Sequence, residues 1–158
     1  MKKVACLVTV CALFAITANA DTVMYGWEDG GTIIGQYGNV DSYNVGAPDP
    51  VYAGERSLKL VDMSSSGPST PQAYVAWIVG LTDGDIVEGS FWRYDDTPGA
   101  SPSCRIWGHT TAAGGTIDDY VASASGNSDY GPGEGWDQTG FTWTFDSSGG
   151  AADALVIE

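Results

Sequence analysis

Aromatic, arginine and histidine side chains crowd into two short stretches of this 158-residue chain, Ser90 to Tyr94 and Cys104 to His109. Alternation along a strand puts Ser90, Trp92 and Tyr94 on one face of the first stretch, and Val87, Gly89, Phe91 and Arg93 on the other. In the second stretch it separates Cys104, Ile106 and Gly108 from Arg105, Trp107 and His109. With Phe91 and Ile106 turned toward a core, Trp92, Tyr94, Arg105, Trp107 and His109 point outward on neighbouring strands. Such a set suits a sugar. Aromatic planes lie against C–H faces, and arginine or histidine donors reach the hydroxyls. The same register sends Arg93 inward, where it must snorkel out at the strand end or pair with an acid. A competing set sits at the loop end: Tyr120, Tyr130, Trp136 and Asp137. Burial of Trp92 and Trp107 under a long loop or a neighbouring domain is the alternative to ligand binding.

Catalysis finds little support in the same inventory. His109 is the one histidine, so any Ser-His-Asp triad would have to use it. No nucleophile-elbow pattern occurs. A glycosidase needs two carboxylates facing each other across roughly 5–10 Å. The adjacent pairs Asp95-Asp96 and Asp118-Asp119 cannot do this internally, because strand neighbours point to opposite faces. These acids read as solvated loop residues, and the chain as no enzyme.

The first twenty residues read as a signal peptide. Lys2 and Lys3 precede an apolar run from Val4 to Ala18, and Ala18-Asn19-Ala20 is a small-x-small cleavage site. The run is shorter than the roughly 20 apolar residues that span a bilayer. Residues 21–158 are then expected to be one exported domain with no further membrane segment. Its basic side chains are Arg56, Lys59, Arg93 and Arg105, and the whole chain carries a net charge of −14. So acidic a surface disfavours nucleic acid and anionic lipid, which are held through Lys and Arg clusters. It tolerates neutral sugars and favours solubility. Cys104 is the one cysteine after residue 20, so it has no internal disulfide partner and reads as a small buried apolar side chain, the alternative being an intermolecular bond or a reactive thiol.

The elements that must carry these residues are strands. Gly is abundant, Trp and Tyr are frequent, and short alternating runs are broken by Gly, Pro, Asp and Ser. That pattern predicts an all-β sandwich or barrel. Strands are expected near 23–28, 32–37, 57–62, 73–80, 86–94, 103–110, 117–122, 140–146 and 153–158. Thr82 to Asp85 reads as a tight connection, and Asp95 to Pro102 as a loop between paired strands. In 140–146, Phe141, Trp143 and Phe145 share an inward face. In 73–80 both faces are apolar, which marks a covered central strand with Trp77 in the core.

Two further stretches carry a resemblance. Tyr25-Gly26-Trp27-Glu28-Asp29-Gly30 sets an aromatic and two acids before a Gly-Gly break, and Gly54-Glu55-Arg56-Ser57-Leu58-Lys59-Leu60 is a turn feeding an alternating strand. With Pro71 to Trp77, Gly80 to Asp85, Ser90-Phe91-Trp92, Gly135-Trp136 and the closing Ala154 to Glu158, they resemble the jelly-roll carbohydrate-binding modules, the galactose-binding-like β-sandwiches. The resemblance implies a jelly roll of two antiparallel sheets that binds polysaccharide without cutting it, attached to a partner enzyme or envelope protein. The alternative is a structural or adhesion sandwich of the cell envelope with no sugar ligand. Such modules close on a strand carrying an aspartate. This sequence stops at Glu158 before one, so the domain reads as lacking its last strand. The resemblance also implies a structural calcium ion, with Glu28 as the matching carboxylate, the Lys59 carbonyl as a backbone donor and Asp29 as a further candidate.

Overall fold

A computed structural model describes residues 24–65, 70–95, 104–131 and 134–158. The signal-peptide stretch and most of the 95–102 loop lie outside these. The described residues form ten strands and no helix: β1 (Gly35–Tyr37), β2 (Val40–Val45), β3 (Ser57–Asp62), β4 (Gln72–Tyr74), β5 (Ala76–Val79), β6 (Ile86–Asp95), β7 (Trp107–Ala112), β8 (Tyr120–Gly126), β9 (Gly135–Thr144) and β10 (Ala152–Ile157). All pairings are antiparallel. A four-stranded sheet runs β5-β10-β7-β8, and β6-β9, β2-β3 and β1-β4 form two-stranded sheets. The all-β class expected from the sequence is what the chain adopts.

The core lies between the four-stranded sheet and the β6-β9 ribbon. Val87 of β6, Trp143 of β9, Phe145 just after it, Ile106 just before β7, and Ala152, Leu155 and Ile157 of β10 are buried there together. Phe91 and Phe141 pack against this cluster. The sides assigned to Phe91, Ile106, Phe141, Trp143 and Phe145 by alternation are the observed ones. Burying each such side chain contributes about 1.5–3 kcal/mol.

Trp143 organises this core. A side chain at Gly89 would meet its ring at 3.1 Å, and one at Gly108 would meet its Nε1 at the same distance, so two strands carry glycine to admit one indole. The Trp143 Nε1–H donates to the Ser125 carbonyl at 3.1 Å. Ser125 is free to accept because β8 bulges there. Gly108 pairs with Ser125 while His109 pairs with Ser123, and Ser125 takes a positive φ of 68°.

Four local expectations change. Of the stretch 23–28, the described residues 24–28 form no strand; Trp27 has a φ of 60° and Gly30 N–H closes a turn onto the Trp27 carbonyl. A strand the sequence reading misses, β2, pairs along its whole length with β3. Its Val40, Ser42 and Asn44 alternate with acidic and aromatic residues and carry no bounding apolar run. The 73–80 segment divides at Val75: β4 pairs with β1, and β5 pairs with β10. Trp77 is therefore not a core residue. It is 37% exposed on the side of the four-stranded sheet away from the core, where its Nε1–H donates to Thr111 Oγ1.

The fourth change concerns the site. β6 and β7 are not paired neighbours. β6 pairs with β9, and β7 lies between β10 and β8 in the other sheet. Periodicity assigns each residue a side of its own strand but says nothing of which strand lies beside it.

Candidate functional site

Trp92 and Tyr94 lie on the outer side of β6, 43% and 42% exposed. The ladder sets Trp92 opposite Gln138 and Tyr94 opposite Trp136 of β9. Tyr94 and Trp136 make a tilted ring pair with centroids 5.2 Å apart. Tyr52, 48% exposed, comes from the loop between β2 and β3 and lies flat on Trp92, with centroids 4.1 Å apart and planes 13° apart. It also meets Trp136 edge-on at 5.2 Å. Four aromatic rings thus join into one patch, with Ser90 and Gln138 beside it on the same strands.

Tyr52 is in place because its loop is pinned at both ends. Glu28 Oε1 accepts the backbone N–H groups of Glu55 and Arg56, at 2.9 and 3.1 Å. Gly54 runs so close to that carboxylate, at a φ of 77°, that a side chain there would collide with it. At the other end Lys59 Nζ holds Asp49 at 3.1 Å. The two stretches that carried the family resemblance are therefore joined to each other, through the Glu28 carboxylate.

Beneath the patch sits Arg93. It turns inward as alternation requires, is 4% exposed, and pairs with an acid. Its Nη2 meets Asp137 Oδ2 at 2.6 Å and its Nε the same oxygen at 3.2 Å. Its Nη1 donates to the carbonyls of Cys104 at 2.7 Å and Asp129 at 2.6 Å. The Asp129 carboxylate approaches at 3.7 Å. The guanidinium hydrogen bonds hold the Asp137 carboxyl below the usual carboxylate range. Gly131 passes so close to Arg93 that a side chain at its φ of 79° would overlap the guanidinium. Buried charge is tolerated when it is paired and hydrogen-bonded in this way.

Arg105 and Trp107 belong to a different sheet from Trp92 and Tyr94, Trp107 opening β7 and Arg105 preceding it, and the neighbouring Cys104, expected to be buried, is exposed. The Arg105 guanidinium lies over the Trp107 ring, 4.3 Å from its centroid, and 5.3 Å from that of Tyr130. Trp107 is fixed by its Nε1–H, which donates to Ser123 Oγ at 3.0 Å.

His109 is not at the surface. It is 3% exposed, its Nδ1 lies 3.0 Å from Glu158 Oε2, and the Tyr74 ring meets it edge-on at 4.9 Å. Tyr120 packs at 5.5 Å. Burial, then the nearby Glu158 charge, pushes the Tyr74 hydroxyl above the usual phenol range. Strand parity gives His109 the side away from the core, and Tyr74 from β4 covers that side. The five residues grouped by the sequence reading therefore divide into three places: Trp92 with Tyr94, Arg105 with Trp107, and His109 inside.

Sequence reasoning misses Tyr52. It stands in a Pro- and Gly-bounded loop, and a lone aromatic in a turn-rich segment is the one signal that points to it. The competing set of Tyr120, Tyr130, Trp136 and Asp137 also divides: the last three gather around Arg93 and its neighbours, while Tyr120 packs on His109.

The three residues named for calcium have separate partners. Glu28 Oε1 serves the 54–56 turn, Asp29 Oδ1 accepts from Tyr25 Oη and Gly31 N–H, and Lys59, named for its carbonyl, stands in β3 opposite Tyr43 of β2. Among the described residues no three His, Cys, Asp or Glu side chains gather that could hold a metal. Comparison with known protein families, curated proteins and solved structures finds nothing that matches this chain.

Proposed function

We propose that this protein is a secreted, non-catalytic glycan-binding module whose platform is the patch of Tyr52, Trp92, Tyr94 and Trp136. The observation that carries the reading is that three rings share one face of the β6-β9 ribbon, a loop tyrosine stacks onto them, and the buried Arg93, paired with Asp137, braces the ribbon from the other face. Flat, rigid aromatic surface with little rotamer freedom is what binding a sugar's C–H face requires. The hydroxyls of Tyr52 and Tyr94 and the amide of Gln138 offer hydrogen bonds at the rim. The stack of Tyr52 on Trp92 also fits a second reading, a structural or adhesion domain whose aromatics meet another protein.

Thermal unfolding of the purified chain against a panel of soluble polysaccharides tests the proposal. A glycan present at a hundred times its Kd adds about 2.7 kcal/mol to the folded state, several degrees in Tm. Tyr52→Ala and Trp136→Ala should each weaken the responding glycan by about thirtyfold, the effect of losing a binding hot spot of about 2 kcal/mol. A panel that moves nothing, or variants that bind as the parent does, would turn the assignment to the protein-facing reading.

A further inference from the structure

We infer that Arg105, Trp107 and Tyr130 form a second subsite, one that takes an acidic sugar residue through its oxyanion, a uronate carboxylate or a sulfate ester. The inference rests on the glycan-binding reading above and names the class of glycan. Three observations carry it.

The first is the state of Arg105 itself. Lys59 is spent on Asp49 and Arg93 on Asp137 and Asp129, and Arg56, like Arg105, forms no ion pair among the described residues. Arg105, in a chain with 20 acidic residues, forms no ion pair among the described residues. It lies instead over Trp107 with Tyr130 nearby. A guanidinium meets a ring through its face, whereas its five N–H donors lie in its plane. Contact with the rings therefore orients the group without consuming its donors. A bidentate oxyanion is the partner that this fork fits best.

The second observation is that the subsite is built. Arg93 Nη1 donates to the carbonyls of Cys104 and Asp129, the residues immediately before Arg105 and Tyr130. One buried guanidinium thus clamps together the two backbone segments that deliver the charge and the second ring. Trp107 is held separately through Ser123. The same Arg93 sits between Trp92 and Tyr94 in sequence, and its partner Asp137 follows Trp136. The aromatic platform and the Arg105 subsite hang from one node.

The third is local electrostatics. The net charge of −14 opposes an anion at long range. At physiological salt, charges beyond about 8 Å are largely screened. Of the carboxylates carried by the adjoining segments, those of Asp129 and Asp137 approach Arg93, and that of Glu158, whose backbone pairs with Trp107, lies against His109. Arg105, beside two rings, is thus left to accept a sugar that carries its charge in the right place.

The test is calorimetric titration of the full chain with three soluble polymers: a polyuronate, a sulfated polysaccharide, and the fully methyl-esterified form of the polyuronate as the neutral counterpart. One of the anionic polymers is expected to bind about tenfold or more tightly than the neutral one, a difference that shrinks as salt is raised. Arg105→Gln should remove that preference, as loss of a charge-assisted hydrogen-bond pair is worth about ten- to a hundredfold. Arg105→Lys, which keeps the charge and loses the fork, should retain part of it and covers the case in which the glutamine variant is poorly folded. Which anionic polymer responds distinguishes carboxylate from sulfate. Equal binding of charged and neutral polymers, or a preference that survives both Arg105 variants, overturns the inference while leaving the platform reading intact. Binding of no polymer by the parent chain overturns the inference, and the platform reading then stands or falls on its own wider panel.

Discussion

Replacing Arg93 by methionine should lower the melting temperature by roughly 10 °C and loosen both aromatic groups at once. Methionine keeps the apolar stem and the approximate volume, so the change isolates the guanidinium. What is lost is two bonds from the charged group to the carbonyls of Cys104 and Asp129, at 2.7 and 2.6 Å, and the pair with Asp137 at 2.6 Å. A hydrogen bond to a charged group is worth about 1.5–3 kcal/mol, so the two carbonyl bonds together amount to about 3–6 kcal/mol. The Asp137 pair adds little, because that carboxylate is 37% exposed and regains water when released. Against this stands the relief of no longer desolvating a guanidinium that is 4% exposed. The net is about 2–4 kcal/mol. In a domain of this size, each kcal/mol moves Tm by roughly 3–5 °C. Differential scanning calorimetry measures the shift directly. Fluorescence of Trp92 and Trp136 should change alongside it, since both flank the node in sequence. Arg93→Lys should recover only part, because a point charge cannot reach three partners in one plane. A methionine variant that melts within about 1 °C of the parent would refute the view that Arg93 holds this end of the sandwich.

Two further outcomes follow from the described contacts. Asp137 is held below its ordinary value of 3.8 by Arg93, Asp119 by the Thr116 N–H and Asp83 by the Ser147 N–H. A depressed folded-state value means stability that is fully present above 3.8 and is lost as pH falls through the folded values. Tm measured against pH should therefore drop below about pH 4, and Asp137→Asn should flatten part of that drop; an unchanged acid limb in the variant would contradict the assignment. Glu28→Ala should cost about 1–2 kcal/mol by freeing two turn N–H groups, whereas EDTA should leave the parent Tm unchanged; a chelator-dependent loss of Tm would show that an ion, not the turn alone, engages Glu28.

The alternation of Phe141, Trp143 and Phe145, and of Phe91 and Arg93, is legible in the amino-acid sequence, because a half-buried strand writes its two faces there with period two. The all-β class follows from the same signal together with the turn residues. So does the placing of Arg93 on the inner side, whereas the choice between snorkelling out and pairing with an acid is made only when β9 brings Asp137 opposite it. Strand pairing is not legible in this way. β6 and β7 are consecutive, and their aromatics share a chemical character, yet they belong to different sheets, so the expected five-residue face does not exist. Local pattern says nothing of which strands far apart in sequence meet. That choice is made when Trp143 seats over Gly89 and Gly108, and when β9, far along the chain, pairs with β6. Tyr52 and His109 make the same point from opposite directions. A loop aromatic becomes part of the surface patch because Glu28 pins its loop against Trp92's side of the molecule, and an outward-facing histidine becomes buried because Tyr74 arrives from another sheet to cover it. The sequence by itself determined which side of its own strand each residue takes, since that depends only on its neighbours along the chain. Tertiary structure alone decided what lies on that side, since that depends on long-range packing.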